Sequence, residues 1–273
     1  MTIELDGPLL LVGAGNIGGA LLDGWLDRGF DTRKLIVLDP SPPPRVAARL
    51  ETAGVRLESS LPLVSALAAM ILAVKPQIMD AALPLIAPFV PPDTLIVSLA
   101  AGRRIESIAR HFPPGTAIVR AMPNTPAAVG RGMTVLCKNA GVTGEQAAMC
   151  EGLMEAAGET AWIENEALMD AVTAVSGSGP AYVFLLAECL AEAGRAAGLD
   201  ADLATRLARA TVTGAGEMLH QSNLDAADLR RGVTSPGGTT AAALGVLMAP
   251  DGLQKLLTEA VAAATARGRA LGA

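Results

Sequence analysis

The sequence predicts an α/β protein: an N-terminal open parallel sheet followed by an all-helical C-terminal half. Three observations lead there. Short apolar runs recur through the first half, each closed by small or polar turn residues, which is the pattern of strands buried on both faces. After about Glu164 this pattern stops and long Ala/Leu-rich runs with helical character take over. The chain has 273 residues, 51% hydrophobic and 18% charged, enough for one large or two ordinary domains with real cores. The expected division is a sheet domain over 1–163 and a helical domain over 164–273.

Leu9–Val12 is the first strand. Gly13-Ala14-Gly15-Asn16-Ile17-Gly18 follows, then Ala20 to Trp25 with helical character. Lys34–Asp39 is a second strand, and its closing acid stands about 20 residues beyond Gly18. Strand, G-x-G-x-x-G, helix, strand and acid together form the dinucleotide fingerprint of a Rossmann domain, so the cofactor is NADP or NAD. A glycine-rich turn in another α/β protein would not need the second strand or the acid. Gly13 makes the tight turn, Gly15 lets a pyrophosphate approach the backbone, and Gly18 lets helix and strand pack closely. The helix N-terminus then attracts the pyrophosphate.

Further strands are expected at 70–74, 94–99, 117–120 and 133–137. The first three end in Lys75-Pro76, Ala100-Ala101-Gly102 and Met122-Pro123-Asn124-Thr125-Pro126. Open parallel sheets bind ligands at these C-terminal ends. Lys75 has two readings, cofactor contact or solvated loop. The 122–126 loop is a rigid turn or a site wall. Asp39 suits a ribose 2′-hydroxyl and repels a 2′-phosphate, yet Ser41 and Arg45 just beyond it suit that phosphate. The sequence leaves NAD against NADP open.

In the second half, helices are expected at 167–175, 181–197, 201–220 and 253–271, the first broken by Ser176-Gly177-Ser178-Gly179-Pro180 and the second closed by Gly198. The small residues of 176–180 either let two helices cross closely or wall a cleft. Val233-Thr234-Ser235-Pro236-Gly237-Gly238-Thr239-Thr240 carries more chemistry. It precedes an apolar helical run, Ala241 to Met248. Small hydroxyls and free N–H groups at a helix start make a site for a small anion such as a carboxylate. An ordinary N-cap with a Pro-Gly turn is the plainer reading, but a cap needs one hydroxyl, not two directly after two glycines.

The function classes excluded are several. Net charge is −6 and aromatics are 3%, which argues against a phosphate-backbone partner and against base-stacking modules. Cys137, Cys150 and Cys189 are odd in number and widely spaced, which fits reduced thiols in a cytoplasm. His and Cys are too few and scattered for a metal site. The opening residues lack a basic leader region. No apolar run reaches the ~18 residues of a membrane helix before a charge, Gly or Pro interrupts. Mean hydropathy is nonetheless +0.41, and the Ala-rich helical faces after Glu164 point to at least a homodimer, with the active site at or near its interface.

Together these motifs resemble the pyrroline-5-carboxylate reductases over nearly the whole chain. The resemblance rests on Gly13–Gly18, Ala73–Pro76, Ser98–Gly102, Met122–Pro126, Ser176–Tyr182 and Thr234–Thr240; the last two, in this order, are the specific ones. It implies NAD(P)H-dependent reduction of 1-pyrroline-5-carboxylate to L-proline by a Rossmann domain and a helical dimerisation domain, with assemblies of dimers in many members. It also implies cofactor contacts at Gly13, Ala14, Gly15, Asn16, Ile17, Gly18, the second strand's end with Asp39 and Ser41, Ser60, Val74, Lys75, Pro76, Ala100 and Ala101. Substrate contacts would come from Ser235, Gly237, Gly238, Thr239 and Thr240, with Glu166 at another substrate-associated position. Asp39 with its proline run, and Ser60 where many members have Asn, depart from the family pattern and bear on cofactor choice.

The residues suit that chemistry. A protonated cyclic imine is already an electrophile, so hydride transfer needs positioning more than a strong acid. Thr240 is expected to orient the ring nitrogen and Ser235 to help hold the carboxylate. The ring-nitrogen proton comes from Thr240 through water or from solvent. A 2-hydroxy-acid dehydrogenase would need a base such as His, but His111 and His220 lie in no motif. A β-hydroxyacid dehydrogenase would need a Lys after the second-domain glycines, and 177–188 has none. A catalytically silent NAD(P)-sensing scaffold would have no use for the 234–240 cluster.

Overall fold

Leu9–Val12 (β1), Leu35–Leu38 (β2), Arg56–Glu58 (β3), Ala69–Leu72 (β4), Leu95–Ser98 (β5), Ile118–Met122 (β6), Gly132–Lys138 (β7) and Gly158–Trp162 (β8) form one sheet in the computed structural model. The structure describes residues 5–60, 64 and 66–271; residues 1–4, on which the reading of no leader partly rests, lie outside the described residues. The chain divides into two compact units, residues 1–177 with 264–273, and residues 178–263.

The strand order is β3-β2-β1-β4-β5-β6-β7-β8. β1 pairs in parallel with β2 and β4, with Leu9 opposite both Leu35 and Ala69. The helices Asn16–Asp27 (α1), Pro44–Ala53 (α2), Met79–Ile86 (α3) and Ile105–Ala109 (α4) belong to the crossovers that parallel pairing requires. β7 runs antiparallel to β6, because only a short helical turn over Thr125–Val129 joins them and so short a link permits no crossover. Gly144–Glu155 (α5) then carries the chain to β8, which is parallel to β7.

The period of two along each strand sorts the core. Leu9 and Leu11 join Leu21, Leu22 and Trp25 on one face; Leu10 and Val12 join Met79 and Leu83 on the other. The indole N–H of fully buried Trp25 donates to the Leu153 carbonyl at 2.8 Å, tying α1 to α5. The strands expected around 9–12, 34–39, 70–74, 94–99, 117–120 and 133–137 are all present. β3 and β8 were not legible as strands. They are the two edges of the sheet, where one side of the strand has no neighbour and the sequence need not be continuously apolar.

Glu166–Leu168 forms a tight helical turn leading into Met169–Val172 (α6), and Thr173–Gly177 follows as a wide, π-type turn. The second unit begins with Gly179–Ala196 (α7) and Ala201–Gln221 (α8), followed by Ala226–Gly232 (α9) and Thr239–Leu247 (α10); Leu253–Leu271 (α11) ends in the first unit. The 176–180 segment thus interrupts the helices as its composition suggests, but only at Ser178, between the π-type turn that ends at Gly177 and the start of α7 at Gly179. Pro180 lies in the first turn of α7, where its missing N–H costs nothing. By length and composition, Glu166–Ala196 is long and apolar enough to cross a membrane, with a mean hydropathy of 1.3 over its best window. As the sequence reading has it, Gly177, Gly179 and Pro180 interrupt this stretch, which also carries Asp170 and Glu188.

α7 and α8 form a helical hairpin. Gly198, at φ +96°, makes its turn, and the Asp200 carboxylate caps α8 by accepting from Asp202 and Leu203 N–H. The seam is built of small residues: among the described residues of this unit, Ala191, Ala204 and Ala208 are the buried hydrophobics. Phe184, Leu185, Leu186, Met218 and Leu219 stay more than half exposed.

Candidate active site

β1 delivers the chain into the glycine loop. Gly13, at φ +90°, makes the turn in the left-handed region that glycine favours, and its N–H donates to the Leu38 carbonyl at 2.9 Å. A Cβ at Gly18 would lie 2.3 Å from the Gly13 carbonyl oxygen, so α1 packs here as only glycine allows. A Cβ at Gly15, by contrast, would meet nothing within 4 Å. The loop is open to an outside group at that one glycine. No side chain caps the N-terminus of α1 and no acid lies in its first turn, so the N–H groups of Asn16 and Ile17 are free to face a phosphate. These features fit a dinucleotide.

A cavity of about 860 Å³ opens beside this loop. Gly13, Gly15, Asp39, Ser60, Val74 and Lys75 line it, bringing six expected cofactor residues together. Ile78, Leu85 and Phe89 add half-exposed or exposed apolar side chains that sequence reading missed; they give a flat base an apolar wall. Asp39 binds the loop itself: Oδ2 accepts from Ala14 N–H at 2.7 Å and Oδ1 from Ser41 N–H at 2.9 Å. Ser41, Pro76, Ala100 and Ala101 do not line this cavity. Pro76 starts a tight turn after β4, and Ala100 is buried beyond β5.

A second cluster lies in the same unit. The Asn124 side chain accepts from Met133 N–H at 2.9 Å and donates to the Ser176 hydroxyl at 3.1 Å. The 122–126 loop and the 176–177 turn are thereby fastened together. A Cβ at Gly177 would lie 2.6 Å from the Met122 methyl, so this glycine packs closely on the end of β6 and not at a crossing of two helices.

Arg120 was visible as a charge in an apolar strand, yet its role was not read. It is 5% exposed and its Nη1 donates to Glu166 Oε1 at 3.0 Å. The same oxygen accepts from Ile105 N–H at 2.9 Å. Glu166 thus joins β6 to the start of α4. Glu166→Ala would strand a buried guanidinium and is expected to cost about 3–5 kcal/mol, the range for breaking a buried pair from one side. Thermal unfolding checks this; an unchanged melting temperature would mean that Arg120 finds another acceptor.

Burial pushes the Cys150 thiol up to about 12 and, with the nearby Glu166 carboxylate, raises that of Cys137. Both therefore stay protonated at neutral pH and neither is a nucleophile.

In the second unit, Gly237 sits at φ +70° and Gly238 N–H donates to the Ser235 carbonyl at 3.0 Å. Gly238 is the N-cap of α10, and no side chain bonds to its first turn. The plain N-cap reading of the hydroxyls is therefore not realised. Among the described residues, Ser235, Thr239 and Thr240 hydroxyls accept from and donate to no other group of the chain, whereas the Thr234 hydroxyl bonds back to the Arg230 carbonyl at 2.6 Å. Uncapped N–H groups with three free hydroxyls suit a small carboxylate.

Comparison with known proteins agrees with this arrangement. Residues 166–271 match the pyrroline-5-carboxylate reductase dimerisation family, and residues 9–102 match the family described as NADP oxidoreductase, coenzyme F420-dependent. The chain is 39% identical over 263 residues to the pyrroline-5-carboxylate reductase of Pseudomonas aeruginosa, covering 96% of each. It is 39% identical over 285 residues to that of Mycobacterium leprae, again covering 96% of each. Among solved structures, a pyrroline-5-carboxylate reductase from Coxiella burnetii superposes with a TM-score of 0.90 at 32% identity, covering 98% of this chain and 99% of that one. The Plasmodium falciparum enzyme with NADP bound gives a TM-score of 0.81 at 29% identity, covering all of both chains. With that identity sustained from end to end, the chain belongs to the pyrroline-5-carboxylate reductase family.

Proposed function

We propose that this protein reduces 1-pyrroline-5-carboxylate to L-proline with NAD(P)H, the last step of proline biosynthesis. It is an oxidoreductase acting on a CH–NH group. Residues 1–163 serve the nucleotide and residues 164–273 serve substrate binding and dimerisation. The observation that carries the reading is the uncapped start of α10, with the free hydroxyls of Ser235, Thr239 and Thr240, in a chain of this family.

When bound, the reduced nicotinamide supplies the hydride. Gly13, Gly15 and the first N–H groups of α1 would hold its pyrophosphate, Asp39 and Ser60 the adenosine end, and Val74 and Lys75 a further wall. The N–H groups near Gly237, Gly238 and Thr239 hold the substrate carboxylate, with Ser235 assisting. Thr240 hydrogen-bonds the ring nitrogen and orients the imine face. Glu166 acts on the substrate side through the turn that its bonds to Arg120 and Ile105 hold in place.

The exposed apolar side chains of α7 and α8 are covered by a second copy of the chain. A free monomer would leave them in water at about 25 cal/mol per Å², and the match to a dimerisation family over 166–271 favours protein over lipid. The free cysteines support a cytoplasmic setting. Oxidation of NADH or NADPH with fresh pyrroline-5-carboxylate tests the activity; nucleotide binding without turnover would leave a sensing scaffold instead. Light scattering should show at least a dimer, with activity lost on dilution below its dissociation constant. A fully active monomer would refute the assembly.

A further inference from the structure

We propose that Asp39 makes this chain select NADH over NADPH. The inference rests on the glycine loop as the nucleotide site and goes beyond it by naming which nucleotide.

The wall of the cavity at the end of β2 presents an acid. Asp39 lines the cavity, and its position is set by two backbone donors, Ala14 N–H at 2.7 Å and Ser41 N–H at 2.9 Å. Those bonds hold the carboxylate at the edge where a fingerprint acid meets the adenosine ribose. Each oxygen keeps a lone pair for a ribose hydroxyl. A 2′-phosphate placed there meets a fixed negative charge instead.

A phosphate would need a compensating cation, and the nearby ones are engaged elsewhere, while Ser59 and Ser60 bring only neutral hydroxyls to the cavity. Ser41 N–H, the first hydroxyl-residue amide beyond β2, already donates to Asp39. The Arg45 guanidinium pairs with Asp23 of α1 at 2.5 Å, and Arg49 pairs with Asp23 and Asp27. Arg56, on β3, pairs with Glu58 at 2.5 Å. None of these arginines lines the cavity. Exposed pairs of this kind are weak, so the fixed charge of Asp39, more than the ion pairs, is the discriminating element. Lys75 is the one cation among the described residues lining the cavity. It follows β4, which flanks β1 on the side away from β2, so it stands across the glycine loop from Asp39.

The test measures binding without the imine, so that a chain lacking reductase activity would still reveal its nucleotide preference. NADH and NADPH are titrated by their own fluorescence, and ADP against 2′,5′-ADP by calorimetry, which isolates the 2′-phosphate. The wild type is expected to bind NADH and ADP at least about tenfold more tightly than their 2′-phosphorylated partners. Asp39→Asn keeps an acceptor oxygen for the loop and removes the charge, and should bring that ratio close to one. Ser41→Arg leaves Asp39 in place and should raise affinity for NADPH and 2′,5′-ADP severalfold; it decides the matter if Asp39→Asn fails to fold. Equal or tighter wild-type binding of the 2′-phosphorylated nucleotides overturns the proposal. So does a folded Asp39→Asn variant with an unchanged ratio, or a Ser41→Arg variant with no gain.

Discussion

Gly15→Val is expected to abolish dinucleotide binding while leaving the melting temperature near that of the wild type. The side chain would enter space that the chain itself leaves open, since nothing lies within 4 Å of a Cβ at Gly15, and its φ of −70° is outside the left-handed region that favours glycine. That open space is where a pyrophosphate meets the loop, so the ligand carries the cost. Gly18→Val, three residues on, should do the opposite. Its Cβ would overlap the Gly13 carbonyl oxygen at 2.3 Å and crowd Ala73, and α1 would have to move off the sheet. Overpacking of this kind costs about 1–3 kcal/mol or more, read as a melting temperature lower by several degrees. Titration calorimetry and thermal unfolding separate the two. Nucleotide affinity retained in Gly15→Val would remove the loop from the binding site.

Thr240→Ala is expected to lower the rate of imine reduction by roughly one to two orders of magnitude. The loss is one orienting hydrogen bond to a charge-bearing ring nitrogen, about 1.5–3 kcal/mol. Folding should be indifferent to the change, because the Thr240 hydroxyl makes no bond within the chain and α10 starts from Gly238 without a side-chain cap. Steady-state kinetics against nucleotide titration check this: the rate falls while NAD(P)H affinity holds. Full turnover in the folded variant would remove Thr240 from the mechanism.

The sequence by itself determined the nucleotide half and the family. Its central strands are continuous apolar runs because both faces of a parallel sheet are covered, and that pattern survives in one dimension. The fingerprint is legible for a similar reason, since strand, glycines, helix and acid are neighbours along the chain. The long helices of the second half, such as 253–271, were also plain from their Ala/Leu-rich runs. Only the tertiary structure decided the rest, because it depends on residues distant in sequence. The edges β3 and β8 are strands only by virtue of their single neighbours. Arg120 is a buried ion only because Glu166, 46 residues away, meets it beside Ile105 N–H. The segment 176–180, read as a break, is one only at Ser178, because helical turns run up to Gly177 and Pro180 falls in the first turn of α7. Asp39 was legible as an acid at a strand end, but its fixed position comes from the Ser41 amide two residues on and from the Ala14 amide, which only the folded glycine loop brings to it.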